Sequence, residues 1–265
     1  MKHLIEVYNC PGNYLNDAEF LKLNQDIQSV AKECLDEIPN YQCLTGKREE
    51  YKRLIIAVAR NEEGKMLGFC SSYLFLLPSN EIILHLGLTC VRPEGRKGGL
   101  THKLTGKVVK TYLLRYSLLR TSWISNVACV LSSLGNVALH FDEVYPSPFM
   151  KKASLGHTRV ASYIDQFCRD ELYVPRSATF NSENFIFENS VSGTMFEKSE
   201  NDRKFHHRDQ QLTRFYASMI DFTNGDEVLQ IGKVSLLTFP KYLLRNLIKK
   251  RQLTPNLIAS SLPEL

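Results

Sequence analysis

Phe20, Leu23, Ile27, Val30, Ala31, Cys34 and Leu35 recur three or four positions apart, with Asn16 and Asp17 before them as caps and Pro39 after. This spacing predicts an amphipathic helix. Arg53 to Arg60 (RLIIAVAR) is a run of branched side chains, followed by the turn residues Asn61 to Gly64 and a second apolar run, Lys65 to Leu76. The two runs predict a β-hairpin. Pro78, Ser79 and Asn80 break the chain before Glu81 to Val91, which reads as a third and more buried strand. After a Gly-rich, charged segment from Arg92 to Gly99, Leu100, Leu104, Val108 and Tyr112 mark one face of a helix reaching about Arg120. Ser122 to Val127 predicts a strand, Leu131 to Leu139 a short helix, and Tyr145 to Pro148 a turn. The predicted order is αβββαβα, a mixed α/β fold.

Beyond Arg176 the periodicity weakens. Residues 177 to 204 are rich in Ser, Asn, Glu and Phe, and the pattern leaves open whether they form an ordered insertion or a loop. Leu212, Phe215, Tyr216, Met219 and Ile220 then give a helical stripe, Glu227 to Leu237 alternates like a strand, and Tyr242 to Lys250 forms a basic amphipathic helix. The expected division is a domain over 1–175 and an α+β extension over 176–265, covering an acceptor site or forming a contact between two copies.

Composition narrows the class. With 43% hydrophobic and 23% charged residues in 265, the chain has the balance of a folded globular protein. Its apolar runs fall short of the roughly 20 residues a membrane-spanning helix requires. Glu6 interrupts the first apolar stretch, so no secretory signal is read, and the expected location is cytoplasmic. The seven cysteines are scattered and contain no C-x-x-C pair, which argues against a disulfide framework or zinc site. His206 and His207 are adjacent and cannot share one face, and His140, Asp142 and Glu143 match no ligand spacing, so no metal is expected. The net charge of +5 is concentrated late: Lys233, Lys241, Arg245, Lys249, Lys250 and Arg251 fall between Gly232 and Leu253 without an acid. The helix at 241–251 is read as docked on the core with its cations in water, a weak contact with an anionic membrane surface being the alternative. It lacks interleaved aromatics and any recognised module, so nucleic acid is not an expected partner.

The segment that carries chemistry runs from Leu88 to Thr101 (LTCVRPEGRKGGLT). Placed between a buried strand and the first turn of a helix, the backbone N–H groups of Lys97 to Thr101 lack helical partners and make an anion site. Gly98 and Gly99 remove side chains from that place, while Arg96 and the helix dipole favour negative charge there. A P-loop is disfavoured because Leu100 follows Gly99 where the phosphate-binding Lys is needed, and a dinucleotide fingerprint is disfavoured because Gly95, Gly98 and Gly99 do not spell it.

The segment resembles the acetyl-CoA signature of the GNAT superfamily of N-acetyltransferases, V-x-P-E-x-R-x-x-G-x-[GA]. Val91, Pro93, Glu94, Arg96 and Gly99 match in register, with the helix beginning at Leu100 and Thr101 at the usual Gly or Ala position. The resemblance implies a GNAT-like mixed, mostly antiparallel sheet flanked by helices. It implies that the backbone of Thr89, Cys90 and Val91 pairs with the pantetheine arm of acetyl-CoA, and that Arg96, Lys97, Gly98, Gly99, Leu100 and Thr101 hold the pyrophosphate. It also places Asn126 at the family's Asn after the fifth strand. Seven residues on, where the family carries a Tyr that protonates the departing thiolate, stands Ser133. Tyr145 is then a candidate acid approaching from another direction. Acetyl transfer to an amine needs a base, for which Glu81 at the opening of the strand is the leading candidate and His85, four residues on, is on its face.

The implied function is transfer of an acetyl group from acetyl-CoA, as co-substrate and without a metal, to the primary amine of a small molecule or peptide by direct attack. Two alternatives stay open: a non-catalytic CoA-binding module that kept the fold, and a membrane-surface acyltransferase using longer acyl-CoA.

Overall fold

The computed structural model describes residues 3–96 and 98–238. In chain order its elements are β1 (Leu4–Asn9), α1 (Asp17–Lys32), α2 (Arg48–Tyr51), β2 (Leu54–Arg60), β3 (Met66–Leu76), β4 (Ile82–Val91), α3 (Leu100–Tyr116), β5 (Ser122–Ala128), α4 (Leu131–His140), β6 (Asp142–Tyr145), α5 (Leu155–Phe167), α6 (Arg169–Leu172), β7 (Thr179–Asn181), β8 (Ile186–Glu188), α7 (Gln210–Ala217) and β9 (Glu227–Val234). All the strands join one sheet in the order β1-β2-β3-β4-β5-β9-β8-β7, with β6 also pairing β9. The sheet is mixed and mostly antiparallel, as expected: β4 and β5 run parallel, and the other pairs run antiparallel.

Helices cover both faces. On one, α1 and α5 press Leu23, Ile27, Val30, Val160 and Ile164 against Ile56, Val58 and Phe69. On the other, α3 packs Leu104, Val108 and Tyr112 against Ile55, Ala57 and Leu84. A third cluster joins α4 and α7 to the far side of the sheet through Leu131, Leu134, Leu212, Tyr216 and Val228. β2 therefore has Leu54 to Ala59 fully buried on both faces, which explains its unbroken apolar run. α1 begins with a reciprocal cap: Asn16 Oδ1 accepts from the Glu19 N–H at 2.9 Å, and Glu19 Oε2 accepts from the Asn16 N–H at 3.0 Å.

Several elements were not in the predicted order. β1 precedes α1 and pairs with β2 from Leu4↔Arg60 to Asn9↔Ile55, and its short, half-buried pattern carries little periodicity. α5 is a full helix with Ser154 as its cap, and its buried stripe of His157, Val160, Ala161 and Ile164 has helical spacing that went unread. The weakly patterned segment 177–204 contributes β7 and β8 to the sheet. Its entry is tied by buried Arg169, whose guanidinium donates to the carbonyls of Pro175 (3.1 Å) and Ala178 (2.7 Å). The basic helix predicted over 242–250, and with it the surface contact through 241–251, lies outside the described residues. Among the described residues no helix is long and apolar enough to cross a membrane.

The segment after β8 is strapped to β9 through one turn. The N–H groups of Ser190 and Val191 both donate to the Gly225 carbonyl at 2.9 Å, and Asp226 accepts from the Asn189 N–H at 3.1 Å. Gly225 holds φ +74°, and a Cβ there would stand 2.4 Å from the Ser192 nitrogen. Gly225→Ala is expected to lower the unfolding free energy by about 2 kcal/mol or more, from left-handed backbone strain and displacement of the strap. Urea unfolding would measure it, and an unchanged midpoint would contradict this account of the turn.

Candidate active site

The site begins with a defect in β4. Cys70 pairs with Thr89 and Ser72 with Leu86, so Gly87 and Leu88 together oppose the single residue Ser71. This is a β-bulge, which bends the strand carrying it. The side chain of Gln42, a buried residue in the turn after α1, fills the space beside the bulge. Its Oε1 accepts from Ser71 Oγ at 2.7 Å and from the Leu88 N–H at 3.3 Å, and its Nε2 donates to Tyr41 Oη at 2.7 Å. A Cβ on residue 87 would meet that amide at 2.1 Å, so a side chain there would displace Gln42.

β4 and β5 pair through Leu84↔Ile124, His85↔Ser125 and Leu86↔Asn126, and then part. On the α3 and α4 side the parting opens into a cavity of about 660 Å³. Leu86 to Thr89 form one wall and Asn126, Ala128 and Val130 the other, with Thr101, Thr105 and Gly106 of α3 and Ser133 and Asn136 of α4 above them. Asn126 is held by its Nδ2, which donates to Gln230 Oε1 at 3.1 Å; Gln230 Nε2 in turn donates to the Leu134 carbonyl and Tyr216 Oη. The lining is mainly apolar with a few polar side chains among it, the composition of a small-molecule site.

The loop from β4 to α3 meets this groove at one end. β4 ends at Val91 and a single 3-10 turn covers Pro93–Gly95. Gly98 and Gly99 take φ +101° and +71°, conformations that favour glycine. A Cβ at either would meet nothing within 4 Å. No side chain caps α3, so its first-turn N–H groups have no side-chain acceptor. Arg96 Nε donates to the Val91 carbonyl at 3.1 Å, and Lys65 pairs with Glu94 at 2.9 Å. Lys97 lies outside the described residues.

Thr89, Thr101, Asn126 and Ser133 of the predicted set converge on the groove. Leu100 is buried against the α3-side core, and Cys90 points to the opposite face, into the α1-side core, with Val91 beside the loop. The three residues nominated for proton transfer are elsewhere. Glu81 precedes β4 and pairs with Arg159 of α5 at 2.8 Å. Tyr145 donates its hydroxyl proton to the Glu183 carbonyl at 2.7 Å, with its ring against Phe185 and His157. His85 is 1% exposed, bonds Ser125 Oγ through Nδ1 at 3.0 Å, packs against Phe75 and leaves Nε2 without a partner. Burial holds its imidazole neutral, with the pKa drawn down to about 3.

Sequence reasoning missed His102, Thr105 and Gly106 of α3 and Asn136 and His140 of α4, all of which line the groove. The His102 and His140 rings stand 5.3 Å apart. Burial lowers the His140 pKa, opposed by a hydrogen bond with the Asn136 carbonyl and aided by the charges of His102 and His207. The i, i+4 recurrence of Thr101 and Thr105 was a readable signal, whereas the α4 contribution depended on where the chain returns.

No protein-family model matches this chain, and no curated protein sequence does. Solved structures similar to it are GNAT-family acetyltransferases. An aminoglycoside N-acetyltransferase in complex with CoA is 14% identical over 51% of this chain and 82% of that one, with a TM-score of 0.36. A GNAT family N-acetyltransferase from Escherichia coli in complex with CoA is 14% identical over 48% of this chain and 62% of its own, with a TM-score of 0.34. A GCN5-related glucosamine N-acetyltransferase region in a fungal multi-domain β-N-acetylglucosaminidase is 14% identical over 47% of this chain, with a TM-score of 0.33. This chain spans 13% of the fungal protein's length.

The placement of His85 predicts an acid sensitivity. The unfolded imidazole takes up a proton below about pH 6.5, while the folded one resists until about pH 3. Its contribution to stability is fully present above pH 6.5 and is lost as pH falls, by about 1.4 kcal/mol per pH unit in that window. In His85→Asn the urea midpoint should fall less steeply between pH 7 and pH 5 than in the wild type. Equal slopes would show that His85 is not held neutral.

Proposed function

We propose that this protein is an acyl-CoA-dependent N-acetyltransferase that transfers an acetyl group from acetyl-CoA to a primary amine by direct attack. The observation that carries this reading is a convergence. Thr89, Thr101, Asn126 and Ser133, singled out from the acetyl-CoA motif and its sequel, come from four elements and line one groove where β4 and β5 part. The groove runs from an uncapped helix start, suited to a pyrophosphate, to unpaired strand edges, suited to the amides of a pantetheine arm. Arg96 adds a positive charge at the phosphate end.

In this reading α3 and its preceding loop hold the pyrophosphate, the free edge of β4 beyond Leu86 aligns the pantetheine, and the thioester lies where the strands separate. Fixing the thioester there converts a bimolecular attack into one between oriented partners. Shielding by α3 and α4 keeps water from competing with the amine.

One observation favours a second reading, a CoA-binding module without catalysis: Ser133 stands where a phenol would be, and no tyrosine lines the groove among the described residues. Turnover separates the two. The full chain should bind acetyl-CoA in calorimetry and release free thiol when given a primary amine; binding without release would favour the module.

Gly106 lies inside α3 and lines the groove, with nothing within 4 Å of a Cβ placed there. Gly106→Phe should fill the groove and raise the acetyl-CoA Kd at least ~10-fold, about 1.4 kcal/mol. Gly106→Ala should stabilise the fold by about 0.5–1 kcal/mol and leave binding intact. Unchanged binding in Gly106→Phe would move the site elsewhere.

A further inference from the structure

Glu227 is the first residue of β9, and the residue is 9% exposed. Its Oε2 accepts from Ser190 Oγ at 2.6 Å, and among the described residues no cation comes within ion-pair distance. A carboxylate removed from water without a cation is costly, which marks the position as one held for a purpose other than stability.

Its place in the sheet suggests the purpose. Val228 pairs with Ala128, the last residue of β5, so Glu227 stands beside Cys129, where β5 has left β4. Alternation along β9 puts Glu227 on the same face as Leu229 and Ile231, which join the α1-side core, and opposite to Val228 and Gln230. Tyr41 is close enough for the Glu227 charge to raise its pKa, and Tyr41 Oη accepts from Gln42, which holds the Leu88 N–H of the β4 bulge. The carboxylate is thus bracketed by the two parted strands, by Cys129 on one side and the Tyr41–Gln42–Leu88 chain on the other. It lies on the face of the sheet away from the groove. Over it runs the segment after β8, anchored by Cys129 Sγ donating to the Phe196 carbonyl at 3.2 Å, with Phe196, Tyr41 and Tyr173 packed edge to face.

We propose that Glu227 is the proton acceptor for the amine substrate, which reaches the thioester from the face of the parting opposite the CoA groove. This inference rests on the acetyltransferase reading and deepens it. The ammonium group gives one proton to the carboxylate, and the freed nitrogen lone pair bonds to the thioester carbon. The carbon–sulfur bond breaks with its electron pair on sulfur, the second nitrogen proton passes to the thiolate, and the carboxylic acid returns its proton to water. An amide, CoA thiol and one released proton balance the step.

The surrounding charges suit that role. Burial pushes the Glu227 carboxyl up to about 7, opposed by the Ser190 hydrogen bond and by Lys198 at longer range. The other titratable groups facing it are held protonated: burial and the carboxylate raise Cys129 to about 12 and push Tyr41 up as well. Asp226, next in sequence, is turned to the Asn189 N–H and Asn224 Nδ2. A base balanced near neutrality takes a proton and releases it again with little loss at either step.

The test uses the full chain with acetyl-CoA and a panel of primary amines (ethanolamine, tyramine, glucosamine, kanamycin, a lysine-containing peptide), read by free-thiol release from pH 6 to 9. Glu227→Gln should lose about 10²–10⁴ in kcat, keep its acetyl-CoA Kd within about twofold of the wild type, and lose the acidic limb of the rate profile. Ser190→Ala removes a hydrogen bond that favours the charged form, so its limb should move to higher pH with the fold intact. A Glu227→Gln rate close to the wild type, or a Ser190→Ala limb that does not move, overturns the proposal. A wild-type chain that binds acetyl-CoA and acetylates no amine of the panel also overturns it while leaving the groove in place. Failure to bind acetyl-CoA at all overturns the proposed function itself.

Discussion

The architecture of the site depends on one constraint: β4 and β5 pair for three residues and then cannot continue. The extra residue in β4 at Gly87–Leu88 bends the strand, and Gln42 occupies the space beside it while taking up the Leu88 N–H. Two hydrogen bonds to one buried amide oxygen and the absence of a Cβ at 87 fix the bulge in place. A bulge costs ladder hydrogen bonds. Here the amide that it frees is satisfied by a side chain, so the strands are held apart without an orphaned donor.

The two faces of the sheet at the parting are unlike. On the α3 and α4 side is a groove lined mainly by apolar atoms, with Thr, Ser and Asn among its residues and the start of α3 beside it. On the α1 and α5 side, a buried carboxylate, Glu227, and aromatic rings lie by the end of β5. The strap from 189 onward is held there by backbone hydrogen bonds to Gly225, which ties the late part of the chain to this end of the sheet.

The side chains nominated for proton transfer lie away from the groove. Glu81 just before β4 and His85 within it are close in sequence to the motif, which made them the natural candidates. The structure gives Glu81 to an ion pair with Arg159 and seals His85 beneath Phe75 as a neutral imidazole. Glu227 lies more than a hundred residues from the motif and carries no spacing that marks it. It acquires its environment when β9 inserts beside β5, a pairing that joins residues 122–128 to 228–234.

What the sequence determined by itself was local. The hairpin of β2 and β3, the long strand β4, the turn into α3 and the two glycines at its start follow from periodicity, breakers and backbone freedom, each a matter of neighbouring residues. The uncapped start of α3 is legible for the same reason, since a strand, a Gly-rich turn and a helix start are contiguous. The tertiary structure decided everything that required two distant segments to meet: the wedge of Gln42 in the β4 bulge, the closing of the groove by α4, the edge strand β1, and the burial of Glu227 under the strap. A side chain's titration, and its fitness to move a proton, is set by desolvation and by neighbours within a few ångströms. Those neighbours are assigned by the sheet's strand order, which no local pattern encodes.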